Sequence, residues 1–249
     1  MMKRLWLQGV RYSMGLAAAA AAILAPSAAH AQIRQVSTSD HTQAIGFTLG
    51  GFFPKGLDSR DEEDVLLRDQ ADLVFNIGDF KGASLNGEWL FALGNFVEAG
   101  VGAGFYQRTV PSVYKEFTHD SGNEIEQDLK LRVVPVTATV RFLPIGRGSV
   151  EPYFGVGIGA FNWRYSETGE FVDTSDSSIF PARYIAKGTA VGPIILAGIR
   201  APIADVWDIG GEVQFQRATG DTKRAETGLL GDKIDLGGVS ALLTMHIRF

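Results

Sequence analysis

Residues 207–216 read Trp-Asp-Ile-Gly-Gly-Glu-Val-Gln-Phe-Gln, and the order of these side chains decides the fold. Apolar Trp207, Ile209, Val213 and Phe215 alternate with residues that are polar or small. Successive side chains of a β-strand point to opposite faces, whereas a helix would scatter these four residues around its axis. The stretch therefore predicts a strand with one apolar face and one polar face.

Seven further segments show the same alternation. We place the eight segments at about 43–53, 81–93, 96–109, 134–142, 150–164, 188–200, 207–216 and 234–249. Long connections at about 54–79, 110–127, 166–186 and 217–233 alternate with short turns. An even number of strands joined in this way is typical of bacterial outer-membrane barrels, whose short turns face the periplasm. The sequence predicts an all-β fold, an eight-stranded antiparallel transmembrane up-and-down β-barrel.

The first residues have the pattern of a secretory signal peptide. Basic Lys3, Arg4 and Arg11 precede an apolar run at 14–24, and Ala29-His30-Ala31 is a small-x-small cleavage pattern. The run is too short to cross a bilayer as a helix. The predicted division is a signal peptide at 1–31, cleaved after Ala31, a short periplasmic segment at 32–41, and a barrel at 42–249 in the outer membrane of a Gram-negative bacterium.

Composition narrows the classes of function. The chain has 23 Lys and Arg against 28 Asp and Glu, a net charge of −5. The charged residues of the predicted signal peptide are all basic, so its removal makes the remaining chain more acidic. This acidic balance argues against nucleic acid as a partner. The chain has no cysteine, so burial and backbone pairing must stabilise it without disulfides.

Six charged residues share the polar, glycine-bearing faces of the predicted strands: Glu88, Glu98, Arg141, Arg200, Glu212 and Arg248. An eight-stranded barrel is too narrow to hold all of the large apolar residues, so we expect these to face lipid and the charges to face the lumen. A soluble barrel with the opposite arrangement is the alternative. The charges lie near the short turns and predict a paired network in the periplasmic half of the lumen. The network would be structural filler or a gate.

Aromatic residues lie toward both ends of the predicted strands, as in the two girdles of membrane barrels. The group near the short turns is Trp89, Phe91, Phe96, Phe142, Trp207 and Phe249, and the group near the long connections is Phe53, Phe105, Tyr106, Trp163 and Tyr165. Both groups are expected to face the membrane interfaces.

Two segments carry a family resemblance. The last strand ends in an aromatic residue preceded by apolar residues at every second position, which resembles the signal that the outer-membrane assembly machinery recognises; the matching residues are Leu243, Met245, Ile247 and Phe249. Residues 151–160, Glu-Pro-Tyr-Phe-Gly-Val-Gly-Ile-Gly-Ala, resemble a strand opening of small outer-membrane β-barrel proteins of the OmpA-like and OmpW-like kind. The resemblance implies barrel assembly in the outer membrane, and it supplies no catalytic motif.

Candidates for chemistry are few. The histidines of the predicted mature chain are His41, His119 and His246, and the sequence neighbours of His119, Asp120 and Ser121, do not by themselves make a catalytic triad. The acidic residues at 58–64 lack the spacing of an EF-hand loop, so we expect neither a metal nor another cofactor.

The sequence thus favours a non-enzymatic outer-membrane barrel with a role in envelope structure or surface interaction, with outer-membrane lipids and lipopolysaccharide as neighbours. The alternatives are a porin-like narrow channel for small or hydrophobic solutes and, with less support, a lipid A-modifying enzyme.

Overall fold

The computed structural model describes residues 41–173 and 175–249. The predicted signal peptide, its cleavage site and the predicted periplasmic segment up to residue 40 lie outside the described residues. The strands are β1 Gln43–Pro54, β2 Leu73–Val74, β3 Gly82–Ala92, β4 Val97–Thr118, β5 Glu124–Phe142, β6 Glu151–Val172, β7 Ile179–Pro202, β8 Trp207–Gln216, β9 Thr219–Asp221, β10 Lys233–Asp235 and β11 Gly238–Arg248; the helices are α1 Val65–Asp72 and α2 Arg224–Thr227, with 3₁₀ turns at Leu57–Ser59 and Ile77–Phe80.

Eight strands form a closed antiparallel ring. Their order is β4-β3-β1-β11-β8-β7-β6-β5, and β5 pairs back onto β4. The first and last strands of the chain are neighbours, paired from Ala44 opposite Arg248 to Pro54 opposite Gly238. The ring confirms the predicted eight-stranded antiparallel β-barrel, and pairing between the first and last strands leaves it without an open edge.

Four of the strands are about twice as long as the other four. Strands β4, β5, β6 and β7 have 22, 19, 22 and 24 residues, whereas β1, β3, β8 and β11 have 10 to 12. The prediction of long loops at 110–127 and 166–186 is therefore wrong. These residues continue the strands and meet in tight hairpins, one of which contains Gly122 at φ +81°.

Strand β5 shows why the extensions escaped the sequence pattern. From Val136 to Phe142 its even-numbered apolar residues face outward and are exposed on the barrel surface. From Ile125 to Val133 its odd-numbered residues face inward, and Leu129 and Leu131 are buried. The apolar face of one continuous strand thus changes sides near Pro135. A constant alternation along the sequence stops there, so the pattern predicts that the strand begins near this residue.

This change divides the barrel into two parts. The belt section, at the short-turn end, carries outward apolar side chains on all eight strands: Ile45, Phe47, Leu49, Phe53, Leu85, Trp89, Val101, Phe105, Val136, Val140, Phe142, Phe154, Val156, Ile158, Val191, Ile195, Ile199, Ile209, Val213, Phe215, Val239, Leu243 and Met245. The upper section comprises the parts of β4 to β7 beyond the belt together with the connections at 55–81 and 217–237.

The interior of the upper section contains an apolar core. Its buried members are Val65, Leu66, Leu73, Phe75, Ile77, Phe80, Tyr106, Val110, Leu129, Leu131, Val133, Phe161, Trp163, Tyr165, Ala186, Ala190, Ala218, Leu229, Ile234 and Leu236. Trp163 packs so closely on Gly220 that a Cβ there would lie 2.4 Å from its Nε1, so this position requires glycine. The prediction that Tyr106, Trp163 and Tyr165 face a membrane interface is wrong, because all three are buried inside the upper section.

Helix α1 folds into this core from the connection at 55–81. The Asp64 side chain caps the helix by accepting hydrogen bonds from the backbone N–H groups of Leu66 and Leu67. It also pairs with Arg60 at 2.9 Å, with both side chains fully buried, and accepts from the backbone N–H of Asp235 at 2.6 Å. One aspartate therefore ties the first connection to the last.

Helices in the described part of the chain are too short and too polar to span a membrane.

Candidate functional site

The lumen of the belt section contains two groups of ion pairs. In the first group, the Arg141 guanidinium binds both carboxylate oxygens of Glu88, at 3.1 and 2.5 Å, and also lies 3.1 Å from Glu212. His246 Nε2 lies 2.8 Å from the same Glu88 carboxylate. Such bidentate pairs fix the guanidinium plane more firmly than a single contact does.

The second group lies closer to the short turns. Arg200 pairs with Glu98 at 2.6 Å and with Glu151 at 2.7 Å. Arg248 pairs with the same Glu151 at 3.0 Å and also with Asp208. Glu151 thus links two arginines from different strands, and its side chain is fully buried.

Two residues extend and join these groups. The Tyr153 hydroxyl donates to Glu212 at 2.9 Å, and the Tyr153 ring lies 5.0 Å from the Arg141 guanidinium and 5.7 Å from that of Arg200. Arg147, from a short turn, donates to Glu98 at 2.7 Å and to the His41 carbonyl at 2.6 Å. Together the contacts form one lumen network.

The network ties opposite walls of the barrel. Arg141 on β5 and Glu98 on β4 are direct cross-strand neighbours, yet each has its ion pairs elsewhere. Arg141 reaches β8, and Glu98 reaches β7; in each case the partner strand is three places away in the ring. The ion pairs therefore act as struts across the lumen.

All six charged residues predicted for the lumen lie in this network. The structure adds five residues to the network: Arg147, Glu151, Tyr153, Asp208 and His246. The alternation along their strands places Asp208 and His246 on the polar faces, but parity alone does not show which residues meet across a ring. Glu151 and Arg147 lie beside a short turn, where the alternation is weakest.

Glycine makes room for the network. A Cβ at Gly46 would lie 2.4 Å from the His246 ring and 2.9 Å from the Glu88 side chain. Real Cβ atoms do not approach so closely, so Gly46 is required for His246 to reach Glu88. The glycine-bearing face predicted from the sequence thus has a specific steric role at this position.

Little space remains above the network. A cavity of about 50 Å³ lies there, and its lining includes Arg141, Glu88, Phe52, Tyr106 and Leu196. The belt lumen is thus bounded by buried ion pairs at one end and by the apolar core at the other.

A second polar cluster is buried in the upper section, beyond the belt. The Tyr165 hydroxyl donates to Asp69 Oδ2 at 2.7 Å. Among the described residues, no N–H group or hydroxyl donates to the buried oxygens Asp69 Oδ1 and Glu167 Oε1, and the two carboxyl groups lie within hydrogen-bonding reach of each other. Burial raises the pKa of the Asp69 carboxyl, with the Glu167 charge adding to the effect, and burial raises the pKa of Glu167 to about 7. Burial therefore favours the protonated form of both carboxyl groups over the ionised form.

The remaining candidates do not converge on a reactive centre. His119 Nε2 lies 2.7 Å from Glu170, and its neighbours Asp120 and Ser121 are exposed at a hairpin end. Among the acidic residues at 58–64, Asp61 forms an ion pair with Lys233 at 3.1 Å. Within 41–173 and 175–249, no group of three or more His, Cys, Asp or Glu side chains is placed to hold a metal ion.

The predicted assembly-signal residues lie on the last strand and its end. Leu243 and Met245 project outward from β11, and Phe249 is half exposed just beyond it. The backbone N–H of Phe249 donates to the Gln43 carbonyl at 2.9 Å, and the Gln43 N–H donates back at 3.1 Å. The terminal residue thus takes part in closing the ring.

No protein-family model matches the chain, and no curated protein matches it. Solved structures that resemble it are small outer-membrane β-barrels. The outer membrane protein OprG from Pseudomonas aeruginosa is 12% identical over 84% of this chain and 96% of its own, with a TM-score of 0.49. The N-terminal β-barrel domain of Pseudomonas aeruginosa OprF is 12% identical over 84% of this chain and 98% of its own, with a TM-score of 0.41. Neisserial surface protein A is 12% identical over 83% of this chain and 96% of its own, with a TM-score of 0.44.

Proposed function

We propose that this chain is a non-enzymatic barrel of the bacterial outer membrane, with a role in envelope structure or surface interaction and a lumen closed to solutes. The observation that carries the proposal is the combination of an outward apolar belt with a lumen that is crossed by buried ion pairs. In the belt, Leu243 is 71% exposed and Val156 is 63% exposed. A continuous apolar surface of this kind is far larger than water-soluble monomers expose, and lipid chains would cover it.

The orientation follows the rule for such barrels. The short turns at 93–96, 143–150 and 203–206 face the periplasm in this proposal, and the upper section projects from the cell surface. Export would use the predicted signal peptide at 1–31, and the barrel assembly machinery would recognise the strand that ends at Phe249. Membrane lipids and lipopolysaccharide are then the immediate neighbours of the barrel.

Two features favour a scaffold over a channel. The struts cross the belt lumen with side chains that are almost wholly buried, and the upper section closes the other end with apolar residues. Five carboxylates and four guanidiniums nearly balance in charge, so the lumen lacks the strong single-sign field of an ion-selective pore. Moving an ion through it would require breaking buried pairs.

Cell fractionation tests the location. We expect the protein in the outer-membrane fraction. Its unheated and heated samples should migrate differently on a gel, as folded barrels do. Recovery in the soluble fraction, with migration unaffected by heat, would refute the membrane assignment.

Conductance in planar bilayers tests the closed lumen. The purified wild-type protein should give no steady unitary current, and a general porin measured in the same bilayers supplies the positive control. Steady unitary currents from the wild-type protein would support the narrow-channel alternative instead.

A further inference from the structure

A row of three cations crosses the outside of the upper section. Arg132 on β5 lies directly opposite Arg164 on β6, and Arg164 lies directly opposite Lys187 on β7. All three have the outward parity of their strands, the same parity as the belt residues Val136 and Val191. We call these three residues the cation row.

The row is electrostatically unfavourable as it stands. Side chains directly opposite each other in an antiparallel sheet are about 5 Å apart at Cβ, and like charges in such positions repel. Among the described residues, none of the three takes part in an ion pair. The nearest outward carboxylate along β5 is Asp128, two residues beyond another cation, Lys130. An anion placed on the row would relieve the repulsion.

The row borders a shallow groove that could receive such an anion. The groove is lined by Gln107, Lys130, Arg132, Arg164, Ser166 and Arg183. The lining therefore offers four cations, an amide and a hydroxyl on adjacent strands. Guanidinium groups bind phosphate oxygens in a bidentate manner, and the hydroxyl and amide supply further donors.

The height of the row points to the source of the anion. On each of its three strands the row lies four residues beyond the edge of the belt, at Val136, Ala160 and Val191. A strand rises about 3.3 Å per residue and is tilted by about 40° in membrane barrels, so the row stands about 10 Å above that edge. Arginine and lysine side chains extend several ångströms toward a headgroup layer at that height.

We propose that the cation row and its groove bind the phosphate groups of an outer-leaflet lipid headgroup. The site presupposes the membrane location proposed above and adds a specific ligand to it. Phosphate on the row would turn a repulsive stripe into a set of charge-assisted hydrogen bonds and would fix the barrel's lipid neighbour along β5, β6 and β7.

Lipid binding by a charge-removed variant tests the site. The variant is Arg132→Gln/Arg164→Gln/Lys187→Gln in the full chain, and the matched control is Lys81→Gln/Lys223→Gln/Arg224→Gln, which removes the same charge from exposed positions in the connections. Each protein is placed in phosphatidylcholine nanodiscs and titrated with diphosphoryl lipid A. The row variant should bind at least about tenfold more weakly than the wild type, and the control should bind like the wild type.

Other probes separate the possible results. Dephosphorylated lipid A should bind the wild type as weakly as diphosphoryl lipid A binds the row variant, and millimolar inorganic phosphate should not compete. Equal affinity of the row variant and the wild type would overturn the site. Full competition by inorganic phosphate would overturn the lipid source and assign a soluble anion. Failure of the wild type to insert into nanodiscs would instead refute the proposed membrane function.

Thermal stability without anionic lipid gives a second readout. In neutral detergent the row variant should have a Tm equal to or above that of the wild type, because the cross-strand repulsion is gone. In diphosphoryl lipid A the order should reverse. A purely structural role for the three side chains predicts a lower Tm for the variant in both media, which would contradict the proposal.

Discussion

The belt section and the upper section are built largely from the same strands but have opposite polarity. In the belt, apolar side chains such as Val136 face outward, and charged side chains such as Arg141 face the lumen. In the upper section, Leu131 of the same strand is buried inside, and Lys130 faces outward. A single strand therefore has two hydrophobic faces in succession, one on each side of the sheet.

The difference follows from what lies outside each section. Where lipid covers the outer wall, the apolar residues belong outside, and polar residues can stay in the lumen only if they pair with one another. Where water covers the wall, apolar residues drive the core as in a soluble protein. The two sections should thus respond differently to the same kind of mutation.

The largest effect is expected from removing a strut in the belt lumen. Arg141→Met leaves Glu88 and Glu212 without their shared guanidinium in a buried site, which should lower the free energy of unfolding by about 3–5 kcal/mol. Urea unfolding in detergent micelles measures the change. Lys233→Met is the control, because it removes an exposed pair with Asp61 and should cost no more than about 1 kcal/mol. Equal stability of Arg141→Met and the wild type would remove the struts from the account.

The next effect compares apolar side chains of the two sections on one strand. Leu131→Ala creates a cavity in the upper core and should cost about 3 kcal/mol. Val136→Ala should cost about 1 kcal/mol, since lipid chains close the space that its methyl groups leave. Urea unfolding of both variants in liposomes measures the two losses of stability. A larger cost for Val136→Ala than for Leu131→Ala would contradict the division into two sections.

A smaller effect is expected from pH in the upper section. Burial raises the pKa of Glu167 from its ordinary 4.5 to about 7, so its contribution to stability is full below pH 4.5 and is lost as the pH rises through 7. We expect a loss of about 2–3 kcal/mol between about pH 5 and about pH 9. Protease cleavage of the upper section should become faster over this range.

The matched variant for this test is Asp69→Asn/Glu167→Gln, which keeps the shape of the pair and removes its titration. Its cleavage rate should depend on pH only as the protease itself does. If the upper section of the wild-type protein instead became more resistant to protease as the pH rises, the predicted effect of Glu167 ionisation would be contradicted.

The smallest effect is expected at the rim of the upper section. His119 and Glu170 form a pair whose side chains are 30% and 42% exposed, so His119→Gln should change the free energy of unfolding by less than about 1 kcal/mol. A loss similar to that of Arg141→Met would mean that the rim, and not the lumen, holds the barrel together.

The sequence allowed the belt section to be predicted well and the upper section poorly. The alternation of Trp207, Ile209, Val213 and Phe215 with polar or small residues needed no tertiary information, because lipid and lumen impose the same parity along the whole of β8. In β5 the parity reverses beyond Pro135, and in β6 the inward residues Trp163 and Tyr165 look like membrane aromatics until their partners are known. Contacts with α1 and the last connection bury them, and these contacts are remote in sequence.

The lumen shows the same limit. Strand parity was enough to predict that Glu98 and Arg200 both face the lumen, but not that they pair with each other from strands three places apart in the ring. That pairing depends on how the ring closes and on how its strands are staggered, which no single segment encodes. Glu151 was missed for a local reason, since it begins β6 directly after a short turn.

Single cysteines test the reversal of the two sections most directly, because the chain has no cysteine of its own. Lys130→Cys, Leu131→Cys and Val136→Cys sample the outer wall of the upper section, its core and the belt within seven residues of β5. In intact liposomes a membrane-impermeant maleimide should label Lys130→Cys rapidly and the other two slowly, and lipid-borne bromine should quench a fluorophore on Val136→Cys alone. Rapid maleimide labelling of Val136→Cys would contradict the account.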